Sequence, residues 1–451
     1  MIGASLSRWT LSYFAAALLA FIAAQILMAA GYGFPSAPIE SPETLVLVHV
    51  VSLGWLSLLM CGALFQFVPV LVARPLFSNS LPLPTLACLI AGLGALLTGF
   101  LQLDGRVAAR FPFFPCAGVL LGTGFALVLW NLGRTLWAAR PLPLPARYVV
   151  VGLCSLAATA TLGIIFALAV GGSVSHPVLI ELTALGLPVH IVAGLGGWLT
   201  FTAMGVSYRL LSMFMLAPEL DRVSTRAALH AGTCALALVI LGGTAAIVLG
   251  ASLNYVFIAA GTIGFAALAL YGGDILHLYR ARKRRKIELN SRMAALALTS
   301  LAAGVACTIA SLALGNLERH VGVIVFLLAF GWLSGLGLAK LYKIVPFLTW
   351  LECYGPILGK RPTPRVQDLV VERRALKWFL LYFVAVWVGA FALFMHYSPG
   401  FRVAAVLMIV ATAGIVLQLV RARRLADVSD SVRLPVGAQH PRLLLSITQH
   451  P

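Results

Sequence analysis

Charged side chains are scarce in this sequence, and acidic ones are the rarest. Of its 451 residues, 10% are charged, only 14 are Asp or Glu, and 61% are hydrophobic. A soluble globular domain is about half apolar and about a quarter charged. The composition therefore excludes a soluble globular chain and predicts a polytopic protein of the lipid bilayer.

Signatures of soluble active sites are missing as well. The seven cysteines are scattered without a CxxC pair, which indicates small core residues rather than metal ligands. There is no phosphate-binding Gly-Lys-Ser/Thr loop, no nucleophile elbow and no HExxH motif. The net charge of +18 comes from basic residues between apolar runs, where they set membrane orientation and do not indicate nucleic-acid binding.

What the sequence does contain is a series of long apolar runs. Twelve of them have about 20 residues or more, the length that spans a bilayer. They cover residues 9–31, 44–72, 82–103, 113–138, 148–171, 180–215, 227–250, 253–279, 292–315, 320–350, 375–396 and 401–420. The predicted fold is all-α, with twelve transmembrane helices in a single domain over 1–425. Residues 426–451 are expected to form a flexible cytoplasmic tail.

Basic residues are distributed unevenly between the runs. With few exceptions, Lys and Arg follow runs two, four, six, eight, ten and twelve, and the densest cluster is Arg280 to Lys286. The segment 31–43 after run one has no basic residue. The positive-inside rule then places both termini in the cytoplasm of a multi-pass protein of a bacterial-type inner (plasma) membrane.

A four-residue motif, Gly-Trp-Leu-Ser/Thr, occurs three times. Its copies are Gly54 to Ser57, Gly197 to Thr200 and Gly331 to Ser334. An aromatic residue follows each Trp by ten positions: Phe65, Tyr208 and Tyr342. The motif lies in runs two, six and ten, so it predicts three repeated four-helix units at about 9–138, 148–279 and 292–421.

The three motif runs are also the longest. We expect them to line the middle of the protein, with each motif Trp packed between repeats rather than touching a cofactor. A long polar side chain lies near the inner end of each run: Gln66, Arg209 and Lys343. Snorkelling to the cytoplasmic surface is the favoured interpretation, and a polar inner vestibule is the alternative.

One histidine lies upstream of each motif: His49, His190 and His320. An ionisable residue in a membrane span indicates function, and imidazole is a ligand of b-type heme and of copper. His49 and His320 are the predicted pair for heme b, and all three histidines are predicted metal ligands. His320 is twelve residues from its Trp and His49 six, which places His320 about 9 Å nearer the outer surface if the helices are level. The alternative is that these histidines only cap or hydrogen-bond helix ends.

This pattern resembles subunit I of the heme-copper oxidase superfamily, which includes the nitric oxide reductases. The resemblance covers residues 9–421 in architecture and rests in sequence on the three His and Gly-Trp pairs. It implies that His49 and His320 ligate a low-spin heme and that His190 matches a copper ligand. Run ten, however, lacks the family's second histidine, and run seven lacks its His-His pair, having only His230 at its inner end.

Without those ligands, the family's oxygen- or nitric-oxide-reducing centre cannot form. The sequence is therefore interpreted as a divergent member of the family. Its expected function is heme binding for electron transfer or for a response to nitric oxide or copper stress. If it is an enzyme, it is a respiratory-type oxidoreductase, and its expected partner is another respiratory or electron-donor protein.

Two alternatives stay open at this point. One is a twelve-span transporter, although such proteins usually show a two-fold repeat of six spans, which this sequence lacks. Acidic residues within spans are also nearly absent: Asp274 lies near an inner end and Glu181 near an outer one. The other alternative is an accessory protein that assembles or regulates a respiratory complex without redox chemistry of its own.

Overall fold

The protein is a membrane-embedded, all-helical chain. The computed structural model describes residues 9–108, 111–438 and 440–444, and these residues contain twelve helices long and apolar enough to cross a membrane, and no strand. The predicted fold class is thereby confirmed. The spans are α1 Thr10–Ala30, α2 Pro42–Val72, α3 Pro82–Leu103, α4 Phe113–Ala138, α5 Leu144–Val170, α6 Leu187–Met215, α7 Val223–Val248, α8 Leu253–Arg280, α9 Leu289–Ala313, α10 Leu317–Ile357, α11 Glu372–Phe394 and α12 Ser398–Arg423.

Most predicted boundaries agree with the helices to within four residues. Run six is the main exception, because it was expected to continue from residue 180 to 215. Instead, a short helix Pro177–Leu185 ends at Gly186, and α6 begins at Leu187. Pro188 explains the break: it has no amide hydrogen and fits only the first turn of a new helix. The other exception is the end of α10, which continues to Ile357 instead of stopping near 350.

The three motif helices are the longest and the most buried of the twelve spans. Helices α2, α6 and α10 have 31, 29 and 41 residues. In the most apolar 18-residue stretch of each, 67%, 61% and 72% is buried. No other described span exceeds 28 residues or 50%. Glycines permit the close packing: a methyl group at Gly62 would lie 2.5 Å from Tyr13, and one at Gly205 would lie 2.4 Å from Tyr148.

The described residues form two compact units. The first contains α1, α2 as far as Gln66, and α9 to α12; the second contains residues 67–287, with α3 to α8. In the first unit α1 packs against α2 and α12, and α10 against α9 and α12. In the second unit α4 packs against α3 and α5, α5 against α6, and α7 against α8. The unit boundaries do not follow the three expected repeats, so the repeat remains a prediction.

A buried ion pair lies where α10 and α12 end in the first unit. Arg423 donates to Glu352 at 2.8 Å and to Thr349 at 3.0 Å. The side chains of Arg423 and Glu352 are 3% and 0% exposed. Arg423 also donates to the main-chain oxygen of Arg442. Because both charges are removed from solvent, each depends on the other for compensation.

The described part of the C-terminal segment packs beside this pair. Leu425 and Val428 are buried in a cluster with Cys353 and Leu369. Tyr354 donates its hydroxyl hydrogen to the main-chain oxygen of Arg433 at 2.6 Å. Residues 439 and 445–451 of the expected flexible tail lie outside the described residues.

We expect Glu352→Gln to lower the free energy of unfolding by about 3–5 kcal/mol, because it leaves the guanidinium of Arg423 buried without its anion. Thermal unfolding in detergent micelles measures the change. Asp430→Asn is the matched control, since the carboxylate of Asp430 is 89% exposed and pairs with the more accessible Arg433. Equal, small effects of both substitutions would contradict the role assigned to the buried pair.

A second prediction concerns acid stability. Arg421 donates to Asp427 at 2.6 Å and Arg374 donates at 2.8 Å, and these bonds hold the pKa of the Asp427 carboxyl below its ordinary value. A lowered pKa in the folded state stabilises the protein above the ordinary Asp pKa of about 3.9, and this stabilisation is lost as pH falls through the folded value. Asp427→Asn should therefore destabilise the protein at pH 7, and the gap to the wild type should narrow below about pH 4. An unchanged gap in acid, measured by unfolding at both pH values, would rule this out.

Candidate functional site

The three Gly-Trp motifs share an unusual backbone. Each lies in a π-helical segment within its span: Val50–Ser57 in α2, Val192–Phe201 in α6 and Leu327–Ser334 in α10. A π-helix bonds each residue to the fifth one along; it is rare and frequently occurs at functional sites. The motif predicted equivalent helices, but nothing in it predicted this departure from α-helical geometry. A fourth π-helical segment, Leu238–Gly242 in α7, lacks the motif.

Contacts around the first two motifs also correspond. The rings of Tyr13 and Phe65 lie 5.7 Å apart, and those of Tyr148 and Tyr208 lie 5.5 Å apart. In both pairs the second ring belongs to the aromatic residue ten positions after the motif Trp. The first ring belongs to the helix that precedes the motif helix. The same helix-to-helix packing therefore occurs once in each unit.

In the first unit the motif Trp is a core residue. Trp55 is fully buried, and its indole donates to the hydroxyl of Ser334 at 2.7 Å. Ser334 donates in turn to the main-chain oxygen of Ala329 at 2.6 Å, within the π-helical segment of α10. The ring of Phe21 stacks on Trp55 with centroids 4.5 Å apart. Trp55 thus packs and bonds as the sequence interpretation expected.

His49 immediately precedes the π-helical segment of α2. Its Nδ1 lies 2.7 Å from the main-chain oxygen of Leu45, one turn earlier. A carbonyl oxygen only accepts hydrogen bonds, so Nδ1 carries the hydrogen. In the neutral ring, Nε2 then carries the lone pair. This is the tautomer that metal-binding histidines commonly adopt, with the non-ligating nitrogen donating to a backbone oxygen.

His190 in the second unit adopts the same tautomer as His49. The hydroxyl of Thr159 in α5 donates to the main-chain oxygen of His190 at 3.1 Å, so it accepts from the ring Nδ1, which is 3.3 Å away. Nε2 is again the lone-pair nitrogen. Gly163 permits this position, since a methyl group there would lie 3.1 Å from the His190 ring.

His320 is held differently. It lies in the first turn of α10, seven residues before the π-helical segment. Its Nδ1 is 3.1 Å from the hydroxyl of Ser311 in α9, and its ring stacks on Phe394 in α11 at 5.1 Å. These contacts fit the alternative in which this histidine hydrogen-bonds near a helix end.

The predicted heme ligands His49 and His320 lie in the same unit, but at different heights along the parallel helices α2 and α10. Trp55 contacts Ser334, and Leu59 lies against Gly337, so α2 and α10 run in the same direction. Extended back along both helices at about 1.5 Å per residue, this register leaves His320 about 10–12 Å beyond His49. His190 belongs to the other unit. Within the described part of the chain, no group of three or more His, Cys, Asp or Glu side chains could hold a metal ion.

The long polar side chains at the inner ends do not behave alike. Lys343 pairs with Glu288 at 2.7 Å, with side chains 20% and 16% exposed. Its ammonium therefore does not extend into solvent as snorkelling predicted. Arg209 pairs with the exposed Glu219, in line with a surface position.

Sequence reasoning underrated Asp274. It lies in α8, six residues before the helix ends, and was set aside as a residue near a helix end. In the structure its side chain is buried and accepts from Ser224 at 2.6 Å and from Tyr208 at 3.2 Å. The available signal was an acid within an apolar span combined with Tyr208, the aromatic residue of the second motif.

These features define the class: a multi-pass membrane protein whose three most buried described spans each contain a π-helical segment, with a histidine one to seven residues before it. No protein-family model and no curated protein matches the chain in sequence.

The Trp55–Ser334 bond yields a direct test. Ser334→Ala should lower the free energy of unfolding by about 1–3 kcal/mol, because it leaves the buried indole N–H of Trp55 without its acceptor. In a double-mutant cycle with Trp55→Phe, the double variant should lose about 1 kcal/mol less unfolding free energy than the sum of the two single losses. Thermal unfolding of the four proteins in one detergent measures this. Additive losses would show that the bond contributes nothing.

Proposed function

We propose that the protein is an integral membrane heme protein of the bacterial-type plasma membrane, with His49 as an axial ligand of a b-type heme. One observation carries the proposal: the Nδ1–H of His49 donates to the main-chain oxygen of Leu45, which fixes the ring in the tautomer that metal-ligating histidines commonly adopt. The half-buried ring adjoins a π-helical segment, a common feature of functional sites.

The recurrence of local structure supports the wider resemblance to heme-copper oxidase subunit I. The π-helical segments recur at all three motifs, and a methyl group at Gly197 or at Gly331 would meet a serine of the preceding helix, Ser155 or Ser300, at 2.4 and 2.5 Å. Such recurrence is what three copies of a four-helix unit would produce. We therefore retain the three-repeat architecture as part of the proposal.

The residues fit a heme held by one protein ligand better than a heme clamped by two. Two axial imidazoles must face each other across the ring at one level, and the register between α2 and α10 offsets His320 from His49. His320 is also engaged by Ser311 and Phe394. We assign His49 as the ligand and His320 as a residue that ties α10 to its neighbouring helices.

His190 is not assigned to copper. Copper sites in proteins use several nitrogen or sulfur ligands, and the described residues place no such group around His190. A single imidazole does not make a copper site.

A bound b-type heme would supply one-electron redox chemistry. The chain's own contribution is to hold the His49 ring in one tautomer, half-buried beside the π-helical segment of α2. A heme held in this way suits electron transfer, with a respiratory or other electron-donor protein as partner. The basic segments between spans favour cytoplasmic termini.

We expect the protein, purified from a heme-sufficient host, to show the α-band of a reduced b-type heme in reduced-minus-oxidised spectra. His49→Ala should abolish the band, because the heme loses its axial bond. His320→Ala should retain it, and so should His396→Ala, the matched control, whose ring accepts from Arg319 outside this site. A pyridine hemochrome assay on the same samples gives the heme content per chain.

Two results would overturn the assignment: folded wild-type protein without heme, or His49→Ala with an unchanged band. Should His49→Ala fail to fold, His49→Met keeps an axial ligand and should shift the band rather than remove it. Heme-free protein that carries a substrate flux in proteoliposomes would favour the transporter alternative.

A further inference from the structure

The second unit contains a buried carboxylate to which the heme proposal gives no role. Asp274 in α8 is 1% exposed. Its two oxygens accept from different helices: Oδ1 from Ser224 in α7 at 2.6 Å, and Oδ2 from Tyr208 in α6 at 3.2 Å. Three helices of the unit therefore meet at one acid.

The groups around Asp274 are hydroxyls rather than cations. Helix α5 contributes Tyr148, whose hydroxyl donates to the main-chain oxygen of Thr225 in α7 at 3.0 Å. Helix α8 contributes Tyr271, bonded to the hydroxyl of Ser207 in α6 at 2.8 Å. Among the described residues, no Lys, Arg or His forms an ion pair with Asp274.

A carboxylate in this position lacks full charge compensation. Burying an ionised acid is costly unless it is paired, and hydrogen bonds only partly replace water. Ser224 is the second residue of α7, so the positive end of that helix adds a partial charge. Binding of one cation would complete the neutralisation, and the smallest is a proton.

The geometry favours a proton over a metal ion. The hydroxyl hydrogens of Ser224 and Tyr208 point at the carboxylate, so those oxygens would have to turn before they could ligate a metal. No second acid lies in the cluster, and no metal-binding group of three His, Cys, Asp or Glu occurs in the described ranges.

A route to solvent runs through Ser224. The side chain of Ser224 is half-buried, and the residues before it, Asp221 to Val223, are exposed. A donor in solvent could pass a proton to the Ser224 oxygen while the Ser224 hydroxyl hydrogen moves to Asp274 Oδ1. One O–H bond breaks and one forms at Ser224, the acid gains one proton, and no electrons are exchanged.

We propose that Asp274, Ser224 and Tyr208 form a proton-binding site in the second unit, filled and emptied through the Ser224 hydroxyl. The proposal does not depend on heme at His49. The competing explanation is a purely structural carboxylate that always stays ionised and ties α7 to α8.

Infrared difference spectroscopy distinguishes these explanations in the full-length protein in detergent. Between neutral and acid pH, the 14 Asp and Glu residues contribute C=O stretches as they become protonated. Among these, the wild-type spectra should contain one band that Asp274→Asn removes. Asp221→Asn, in the exposed segment, is the matched control and should leave this band in place. Ser224→Ala and Tyr208→Phe each remove a hydrogen bond to the ionised form, so at a given pH the band should be larger than in wild type.

If no band of the wild type is removed by Asp274→Asn at any pH where both proteins stay folded, the structural tie is established instead. If Asp274→Asn does not fold, Ser224→Ala and Tyr208→Phe still test the proposal. Spectra of both variants that match the wild type would overturn the proposed proton-binding site. Repeating the titration in sodium and in choline chloride tests for a metal ion: a band suppressed only by sodium would replace the proton with that cation.

Discussion

The main-chain polar groups of a membrane helix have no water to bond, so every departure from regular geometry must be compensated inside the protein. This constraint is most visible in α2, α6 and α10, where the backbone becomes π-helical at the Gly-Trp motif. In α10 the main-chain oxygens of Ala329 and Phe330 accept hydroxyl hydrogens from Ser334 and Tyr382, at 2.6 and 2.8 Å. Irregular backbone is thus found where side chains can bond to it.

The same constraint governs the polar side chains. In the first unit, Arg423 with Glu352 and Lys343 with Glu288 bring opposite charges together. In the second unit, Asp274 is surrounded by hydroxyl groups instead. An ion pair carries its own compensation, whereas a hydroxyl-bonded acid becomes neutral only by taking up a cation. That difference is why Asp274, rather than the ion pairs, has the character of a binding site.

The histidines illustrate how a sequence repeat can conceal different roles. His49 and His190 each donate from Nδ1, so both adopt the same tautomer, while His320 is bonded to Ser311 and stacked on Phe394. Their distances from the motif Trp already differ in the sequence, six residues for His49 and twelve for His320. The structure adds the direction of each ring, which sequence spacing does not contain.

The sequence alone determined the membrane class, the twelve spans and the identity of the three most buried helices. It could do so because apolar length and helix-packing glycines are local properties, read directly along the chain. It also singled out the three histidines, since an imidazole is conspicuous in an apolar run. Run six was misplaced at its start, where a single Pro188 decided the break.

Only the tertiary structure decided the rest. The π-helical backbone, the bond from Trp55 to Ser334, the burial of Asp274 and the pairing of Lys343 with Glu288 all join residues distant in sequence or depend on their packing. The chemistry of an ionisable group depends on what faces it across a helix interface. A hydropathy profile reports that such a group is within a span, but not whether a cation, a hydroxyl or an aromatic ring lies opposite.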